Sequence, residues 1–343
     1  MNLQNPNIND GEKYNHSTIS PALKQSARDN GPFFSVVIPV YNEQESLREL
    51  HLRLTAVLQE LKGSYEIIFV DDGSADGSFT ILEDLHKKDH RVIVLQFSRN
   101  FGHHLAITAG MDAAVGEVVI LMDADLEDQP EEIPALFNKL QEGYDVVYGI
   151  RMMRQHTLFK RVSSRLFFAL MRRMVKGFDL NSGVFRIARR RVIDTVKQCR
   201  EANRFVVGLI SWAGFNQTGV EVRHGKRQGG ATKYNLPKQI LLAVNGITSF
   251  TALPLRMSTY LGVIVSAVAI VCGAIVIVRK IVWGLGVLGW PSLMVVILFL
   301  SGVQLLSLGI FGEYLGRALT ESQHRPLYVI ARRLESEDVD EST

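Results

Sequence analysis

Two aspartates separated by one residue, Asp123 and Asp125, are the side chains best suited to chemistry in this chain. They follow the apolar run from Val118 to Met122, which predicts a buried β-strand. Carboxylates at positions i and i+2 of a bending strand end can reach one divalent cation, directly or through water. Such a cation commonly binds substrate phosphates. Solvated turns also contain this pattern, so the surrounding elements decide whether it is a nucleotide diphosphate site.

Three strand-loop-helix patterns precede this aspartate pair. Their strands begin near Phe34, Tyr65 and Val92, and each is followed by a polar loop and a helical segment. Strands that alternate with helices predict a parallel sheet covered on both faces. Ligands of such sheets bind beyond the carboxyl ends of the strands. The polar residues expected at that edge are Asn42, Glu43, Asp71, Asp72, Arg99, Asp123 and Asp125.

Four motifs of this α/β pattern resemble a known family. They are Val37–Glu43, Val70–Ser74, Asp123–Asp125 and Asp179–Arg186. Together they resemble the signature of the family 2 inverting glycosyltransferases, and most closely that of the polyprenyl-phosphate glycosyltransferases. This group contains dolichyl-phosphate mannose synthases and the undecaprenyl-phosphate glucosyl and formamido-arabinose transferases. The resemblance covers about residues 33–325 and implies a GT-A fold, which is Rossmann-like with a mostly parallel sheet.

On the donor side, the resemblance implies roles for residues at the sheet edge. Asp123 and Asp125 would bind Mg²⁺ or Mn²⁺, which suit a site made of oxygen ligands. Glu127 would be a third metal contact, or alternatively would cap the helix after Pro130. Asp72 would hydrogen-bond the nucleobase or ribose, unless it only shapes the turn after its strand. The other donor-binding residues implied are Pro39, Tyr41, Glu43 and Ala124.

On the acceptor side, the resemblance implies that Arg151 and Arg161 bind a lipid phosphate, for which a guanidinium offers bidentate geometry. Ser182 would contribute to the same pocket. Asp179 would act as a base or as a positioning carboxylate. Because a phosphate monoester has a second pKa of about 6, it needs little deprotonation at neutral pH. The residues expected to carry catalysis are Asp179, Asp125 and Arg151.

A glycine-containing basic segment, Arg227–Lys233, ends the predicted soluble domain. Its paired glycines can cradle a phosphate through backbone amides. The resemblance implies that Arg227 and Lys233 close over the donor diphosphate. A flexible linker before the membrane is the alternative interpretation.

Two long stretches without charged residues, Ser258–Val278 and Ile281–Gly312, predict two transmembrane helices. Each is long enough to cross a hydrocarbon core, which requires about 20 residues. The mean hydropathy of +0.09 agrees with a membrane-attached protein. Basic residues on both outer flanks predict that both flanks are cytoplasmic. Arg279 and Lys280, which are expected in the connection between the two helices, argue against this orientation but are outnumbered.

The predicted organisation has five parts. They are a polar, disordered tail (1–32), the GT-A domain (33–235), an interfacial amphipathic segment (236–256), two transmembrane helices (257–316) and a cytoplasmic tail (317–343). The tail lacks the apolar core of a secretory signal. A second basic amphipathic stretch, 158–174, predicts a helix on the bilayer or on its own domain. The two cysteines, Cys199 and Cys272, form no disulfide framework, which agrees with a reducing cytoplasm.

The resemblance implies one expected activity, the inverting transfer of a sugar from a nucleotide diphosphate to undecaprenyl phosphate, and the charge and hydropathy patterns place it at the cytoplasmic face of the inner membrane. UDP-glucose is the first candidate donor, while UDP-formamido-arabinose and GDP-mannose remain open. A processive polysaccharide synthase is disfavoured because the Gln-x-x-Arg-Trp motif is missing. An inactive membrane scaffold or lipid-carrier binding protein is the alternative. The net charge of only +3 argues against a nucleic-acid binder, and the resembling enzymes include homotetramers.

Overall fold

The computed structural model describes residues 31–151, 182–223, 225, 253–283 and 289–335. Strands and helices alternate in the first half of this chain. In order they are β1 (Phe34–Val40), α1 (Leu47–Glu60), β2 (Tyr65–Asp71), α2 (Ser78–Lys88), β3 (Val92–Phe97), α3 (His103–Ala113), β4 (Val118–Leu121), a 3₁₀ turn (Pro130–Glu132), α4 (Ile133–Gln141) and β5 (Val146–Arg151). Then come β6 (Ser182–Arg189), α5 (Arg190–Gln198), α6 (Val206–Trp212), β7 (Gln217–Val222), α7 (Leu253–Trp283), α8 (Trp290–Ser322) and β8 (Ile330–Leu334).

Eight strands of the described chain form one mostly parallel sheet. Their spatial order is β7-β5-β6-β4-β1-β2-β3-β8. Only β6 and β8 run against the other strands. Val40 pairs with Asp71, and Val37 pairs with Leu121, so the ends of β1, β2 and β4 lie side by side. The α/β prediction with a mostly parallel sheet is confirmed, and the acidic loops after these strands share one edge.

Helices cover both faces of the sheet and divide the core into two layers. One layer packs α1, α2 and α4 against the sheet, and the other packs α3, α5 and α6 against it. Every residue of β1 and β2 is buried, as expected for strands covered on both faces. The close fit of α3 on β1 depends on Gly110, because a Cβ at this position would collide with Val37.

The two apolar helices expose their large side chains. Ile281 in α7 is 77% exposed, and Leu305 in α8 is 69% exposed. By length and composition, the stretches Leu255–Arg279 and Val295–Ser322 can cross a membrane. The prediction that Arg279 and Lys280 lie in the connection is wrong, since α7 continues to Trp283. Arg and Lys favour helices, and the glycine-rich connection begins only at Gly284.

The last strand, β8, was not predicted from the sequence. It follows both apolar helices and pairs antiparallel with β3 at the edge of the catalytic sheet. The Tyr328 ring stacks on Phe97, with centroids 5.2 Å apart. The Tyr328 hydroxyl donates to the Asp112 carboxylate at 2.8 Å. The chain therefore returns, after the second apolar helix, to the domain that precedes the first.

Several predicted segments lie outside the described residues. They are most of the N-terminal tail (1–30), the basic amphipathic stretch (158–174), most of the interfacial segment (236–252) and the last eight residues (336–343). The interfacial segment predicted for 236–256 enters the description only at Leu253, which is already the first residue of α7.

Candidate active site

The aspartate pair lies on a tight turn directly after β4. The Asp125 carboxylate accepts a hydrogen bond from the Glu127 backbone N–H at 3.1 Å. Between them, Leu126 has a φ of +60°, a left-handed conformation that is strained for a bulky side chain. The Leu126 side chain is buried in the core. Burial of Leu126 and the Asp125 hydrogen bond thus hold together a turn that carries both carboxylates.

Asp72, at the end of β2, binds the turn between β3 and α3. Its carboxylate accepts hydrogen bonds from the backbone N–H groups of Phe101 (2.7 Å) and Gly102 (2.9 Å) and from Asn100 Nδ2 (3.0 Å). Only 2% of Asp72 is exposed. This burial raises the pKa of Asp72, and the two backbone donors oppose the change. Both carboxylate oxygens therefore have partners within the protein.

His103, the first residue of α3, brings an imidazole to the aspartate pair. Its Nε2 lies 3.4 Å from Asp123 Oδ1, and 45% of its side chain is exposed. Desolvation by the surrounding protein lowers the pKa of His103, while the charges of Asp72 and Asp125 act in the opposite direction. The sequence prediction gave His103 no role. Its position at the start of a helix that follows a strand of the same sheet was the available signal.

The neighbouring His104 packs inward instead. Its ring makes an edge contact with Phe205 at a centroid distance of 5.1 Å. Burial lowers the pKa of His104 to about 4, and His103 and Arg186 act in the same direction. His104 is therefore neutral near pH 7, and it forms part of the wall behind the site.

Arg186, the last residue of the Asp179–Arg186 motif, is a second residue to which the sequence prediction gave no role. Its guanidinium is buried and donates to the carbonyl oxygens of Gly183 (2.7 Å) and Val184 (3.3 Å). Burial lowers the pKa of Arg186 to about 10. The guanidinium thereby fixes the start of β6, next to the acceptor residue predicted at Ser182.

The segment after β7 is attached to the aspartate turn. The Gly225 backbone N–H donates to the Glu127 carbonyl oxygen at 2.9 Å. Two residues earlier, Arg223 Nε donates to Glu132 Oε1 at 2.8 Å. These bonds bring the chain to the Asp-x-Asp turn just before the predicted Arg227–Lys233 loop.

Comparison with known proteins identifies the family. The family model described as "Glycosyl transferase family 2" matches residues 35–197. The chain is 42% identical to "Uncharacterized glycosyltransferase YkcC" of Bacillus subtilis, covering 87% of this chain and 93% of that protein. The chain belongs to glycosyltransferase family 2. This family 2 chain is also 41% identical to "Bactoprenol glucosyl transferase" of Shigella phage SfV, covering 86% of this chain and 97% of that protein.

A third relative has a different sugar in its name. The family 2 chain is 38% identical to "Undecaprenyl-phosphate 4-deoxy-4-formamido-L-arabinose transferase" of Enterobacter sp. strain 638, covering 87% of this chain and 92% of that protein. Family membership agrees with the GT-A architecture expected from the four motifs. The chain is therefore a glycosyltransferase by family.

The structure of this family 2 glycosyltransferase describes some predicted site residues and leaves out others. Those at the donor edge of the sheet are Pro39, Tyr41, Glu43, Asp72, Asp123, Ala124, Asp125 and Glu127. For Arg151 and Ser182 it describes the backbone, at the last residue of β5 and the first of β6, and these strands pair there. Arg161, Asp179, Arg227 and Lys233 lie outside the described residues. Their predicted roles stay predictions.

The carboxylates of this glycosyltransferase fit a divalent cation that is shared with substrate. Within the described residues, no three His, Cys, Asp or Glu side chains are grouped to hold an ion. A cage formed only by protein is not needed, since Mg²⁺ usually keeps several waters and binds one or two carboxylates plus substrate phosphates. Asp123 and Asp125 supply such a pair. Glu127 is near enough in sequence to contribute through water.

Proposed function

We propose that this glycosyltransferase moves a sugar from a nucleotide diphosphate donor to undecaprenyl phosphate, with inversion, to give a polyprenyl-phosphate sugar. One structural observation carries the proposal. The domain that bears the carboxylate pair is completed by β8, which follows two apolar helices able to cross a membrane. This arrangement keeps a site for a charged, soluble donor beside a bilayer, where a polyprenyl acceptor resides. The name of one relative contains bactoprenol and that of another contains undecaprenyl phosphate, and both names support the same acceptor.

On the donor side, Asp123 and Asp125 would hold Mg²⁺ or Mn²⁺, with Glu127 as a third contact. A cation bound there would offset the negative charge that grows on the leaving diphosphate. Tyr41, which is 50% exposed in the loop after β1, lines the nucleotide pocket. Pro39, Glu43 and Ala124 line the same pocket, and Asp72 holds the turn that borders it.

The basic loop after β7 completes the donor site. Gly225 binds the backbone of the aspartate turn, and Arg227 follows two residues later. Arg227 and Lys233 lie outside the described residues, and we assign them to the diphosphate from their charge and their place in the sequence. Their positive charges then add to that of the cation, at the place where negative charge develops.

On the acceptor side, Arg151 and Arg161 bind the lipid phosphate, and Ser182 contributes a hydroxyl. β6 lies between β5 and β4, with Arg186 opposite Leu121. The end of β5 and the start of β6 therefore lie at the same edge of the sheet as the aspartate turn after β4. Asp179 orients the acceptor phosphate for direct attack on the anomeric carbon. Because that phosphate is already ionised at neutral pH, orientation matters more than proton removal.

UDP-glucose is the first donor we propose, since the relative from phage SfV is named a glucosyl transferase. The formamido-arabinose name of another relative keeps UDP-formamido-arabinose as the second candidate. Incubation of the purified protein with Mg²⁺, undecaprenyl phosphate and a panel of nucleotide sugars tests both. If none of the sugar nucleotides supports transfer, the result would instead favour an inactive lipid-carrier binding protein.

The donor half of the site is tested by Asp125→Asn, which removes one charge and keeps the size of the side chain. We expect transfer to fall at least about 100-fold, in line with loss of a main electrostatic contributor. Asp84→Asn is the matched control, because Asp84 is an exposed residue of α2 that pairs with Arg48 at the surface. Turnover of Asp125→Asn close to that of the control would rule out the assignment.

The acceptor half is tested by Arg151→Ala. This change should raise the KM for undecaprenyl phosphate or lower transfer, and should leave Mg²⁺-dependent binding of UDP nearly unchanged by calorimetry. Arg151→Lys should restore only part of the activity, because an ammonium lacks the planar bidentate fork. Arg48→Ala provides the surface control. Loss of UDP binding in Arg151→Ala, with acceptor dependence intact, would reverse the assignment of the two halves.

A further inference from the structure

We propose that His103 is a positioning residue for the metal-binding Asp123, and that Asp72 acts by fixing the turn that presents His103. The inference rests on the proposed function, since it concerns the same cation. It gives Asp72 a role inside the protein in place of a nucleobase contact. It also adds an imidazole to a site that the sequence motifs describe only by carboxylates.

The contact between His103 and Asp123 is the first support. The Nε2–Oδ1 distance of 3.4 Å is slightly longer than an ordinary N–H···O hydrogen bond, as catalytic contacts often are before substrate binds. An ionised carboxylate only accepts hydrogen bonds, so a proton on Nε2 would make His103 the donor when this contact shortens. A hydrogen bond formed in this way would restrict the orientation of the Asp123 side chain.

The turn before His103 is the second support. Phe101 and Gly102, the two residues that precede His103, donate their backbone N–H groups to Asp72. Gly102 has a φ of +108°, a conformation that other residues rarely adopt. A buried carboxylate and a glycine thus determine where α3 begins. Since His103 is the first residue of α3, they also determine where its imidazole lies.

Helix capping does not account for His103, and its packing is limited. Its ring makes an edge contact with His104 at a centroid distance of 5.6 Å, but almost half of its side chain is exposed, whereas His104 also packs its ring against Phe205. The N-cap residue of α3 is Gly102, and no side chain makes a capping hydrogen bond there among the described residues. The feature that distinguishes His103 from His104 is its contact with the aspartate pair.

Positioning of a metal ligand by a hydrogen-bonded partner has a measurable effect. Loss of such partners typically weakens metal binding about 10- to 100-fold. The effect arises because a free carboxylate samples other rotamers, so that ordering it opposes binding. We therefore expect His103 to matter most for cation affinity, and to matter little once the site is saturated.

The test measures Mn²⁺ binding to the full-length protein in detergent, without donor, from the EPR signal of free Mn²⁺. His103→Phe should weaken binding about 10- to 100-fold, and His103→Gln, which keeps an N–H donor, should recover part of the loss. His90→Asn, at an exposed histidine before β3, should bind as wild type does. Unchanged Mn²⁺ affinity in His103→Phe overturns the proposal.

Asp72 is tested through a double-mutant comparison. Asp72→Asn should weaken Mn²⁺ binding in the same direction as His103→Phe. If Asp72 acts through His103, the double variant should bind no more weakly than His103→Phe alone. Additive losses would separate the two residues and reject the connection between them. Circular dichroism of each variant checks that the fold is retained, and His103→Phe alone still decides the role of His103 if Asp72→Asn unfolds.

Two further measurements separate the possible causes. High Mn²⁺ should restore the turnover of His103→Phe, whereas a general structural defect would persist. A ¹⁴N coupling to bound Mn²⁺ that disappears in His103→Phe would make His103 a ligand and overturn the positioning role.

If Asp125→Asn also binds Mn²⁺ normally, the metal site of the proposed function fails. If only Asp125→Asn loses binding, the site stands and the inference about His103 fails.

Discussion

The catalytic domain and the two apolar helices use the same residue types in opposite environments. In β1, Val36, Val37 and Ile38 have no exposed surface, while Ile270 in α7 is 72% exposed. The domain buries its apolar residues in its own core, and the helices keep theirs on the outside. Burial of apolar surface is the main favourable contribution to folding. By length and composition both helices are able to cross a bilayer, which would supply another apolar medium for these side chains.

The two regions are nevertheless connected at more than one point. β8 completes the sheet beside β3, and Glu321, near the end of α8, accepts a hydrogen bond from the Ala202 backbone N–H at 2.8 Å. Since β8 follows both helices, a membrane-inserted pair must cross the bilayer an even number of times. The catalytic domain and its last strand otherwise could not lie on the same side.

Labelling across the membrane gives the largest expected effect, because its result is all or none. A reporter after Thr343 and a single cysteine at Gly286, between the two helices, should be accessible from opposite sides of sealed vesicles. Cys199→Ser and Cys272→Ser remove the native thiols. Labelling of both positions from the same side would contradict the two-span arrangement and, with it, the bilayer as the medium around α7 and α8.

Glycines provide a direct comparison of packing in the two regions. Gly110→Ala places a methyl group against Val37 in the core, whereas a Cβ at Gly309 in α8 meets no atom within 4 Å. Overpacking of a core typically costs about 1–3 kcal/mol of stability. We expect Gly110→Ala to lower the unfolding free energy by about 3 kcal/mol, at the upper end of this range. Gly309→Ala should leave the stability of the domain unchanged.

The unfolding temperature of the catalytic domain is compared between the two glycine variants, with limited proteolysis at each temperature reporting the unfolded fraction. The double variant Gly110→Ala/Val37→Ala is the control, because it removes the methyl group that the new Cβ strikes and should recover part of the stability. Equal unfolding temperatures for Gly110→Ala and Gly309→Ala would contradict the difference in packing between α3 and α8.

Long patterns in the sequence were sufficient to predict both regions. Alternating strands and helices gave the parallel sheet, because buried strands such as β1 are continuous apolar runs. The uncharged stretches gave α7 and α8, although Arg279 and Lys280 fall inside α7. The Asp-x-Asp motif was found because it follows a recognisable strand, β4.

Features that depend on distant partners were not predictable. β8 contains Arg332 and Arg333, so its sequence does not resemble a buried strand, as is common for strands at a sheet edge. Its partner β3 lies more than two hundred residues earlier in the chain. The contact between His103 and Asp123 joins the first residue of α3 to the turn after β4, two parts of the chain that are distant in sequence. The sequence places His103 at the start of a helix beside the sheet edge, but no pattern in a single sequence identifies Asp123 as its partner.

The next largest expected effect is the pH dependence of the unfolding free energy of the catalytic domain. His104 has a pKa of about 4 when folded, against about 6.5 in an unfolded chain. The unfolded state therefore takes up more protons as the pH falls below about 6.5, which favours unfolding. Between pH 7.5 and pH 5 this difference should lower the unfolding free energy by about 2 kcal/mol.

His104→Gln removes the titrating group, so the comparison concerns the slope of Tm against pH rather than Tm itself. We expect a shallower loss of Tm on acidification in the variant than in wild type. The same measurement on His324→Gln, at an exposed residue after α8, should reproduce the wild-type slope. Parallel slopes for wild type and His104→Gln would show that His104 is not held neutral.

The smallest effect concerns the connection between the two regions. Tyr328→Phe keeps the ring that stacks on Phe97 and removes the hydroxyl that donates to Asp112 at 2.8 Å. Asp112 keeps its ion pair with Arg200, so its charge remains compensated. We expect the domain to lose about 1 kcal/mol, which is typical of one hydrogen bond.

Tyr260→Phe is the matched control for this connection, since Tyr260 lies in α7 and is 66% exposed. It should not change the unfolding temperature of the domain. Membrane insertion should be retained in both variants, because Tyr328 lies outside α7 and α8 and Tyr260→Phe makes α7 more apolar. If Tyr328→Phe unfolds at the wild-type temperature, the Tyr328–Asp112 bond contributes nothing to stability. Pairing of β8 with β3, the stacking on Phe97 and the bond from Ala202 to Glu321 would then hold the returning chain, because none of them depends on the Tyr328 hydroxyl.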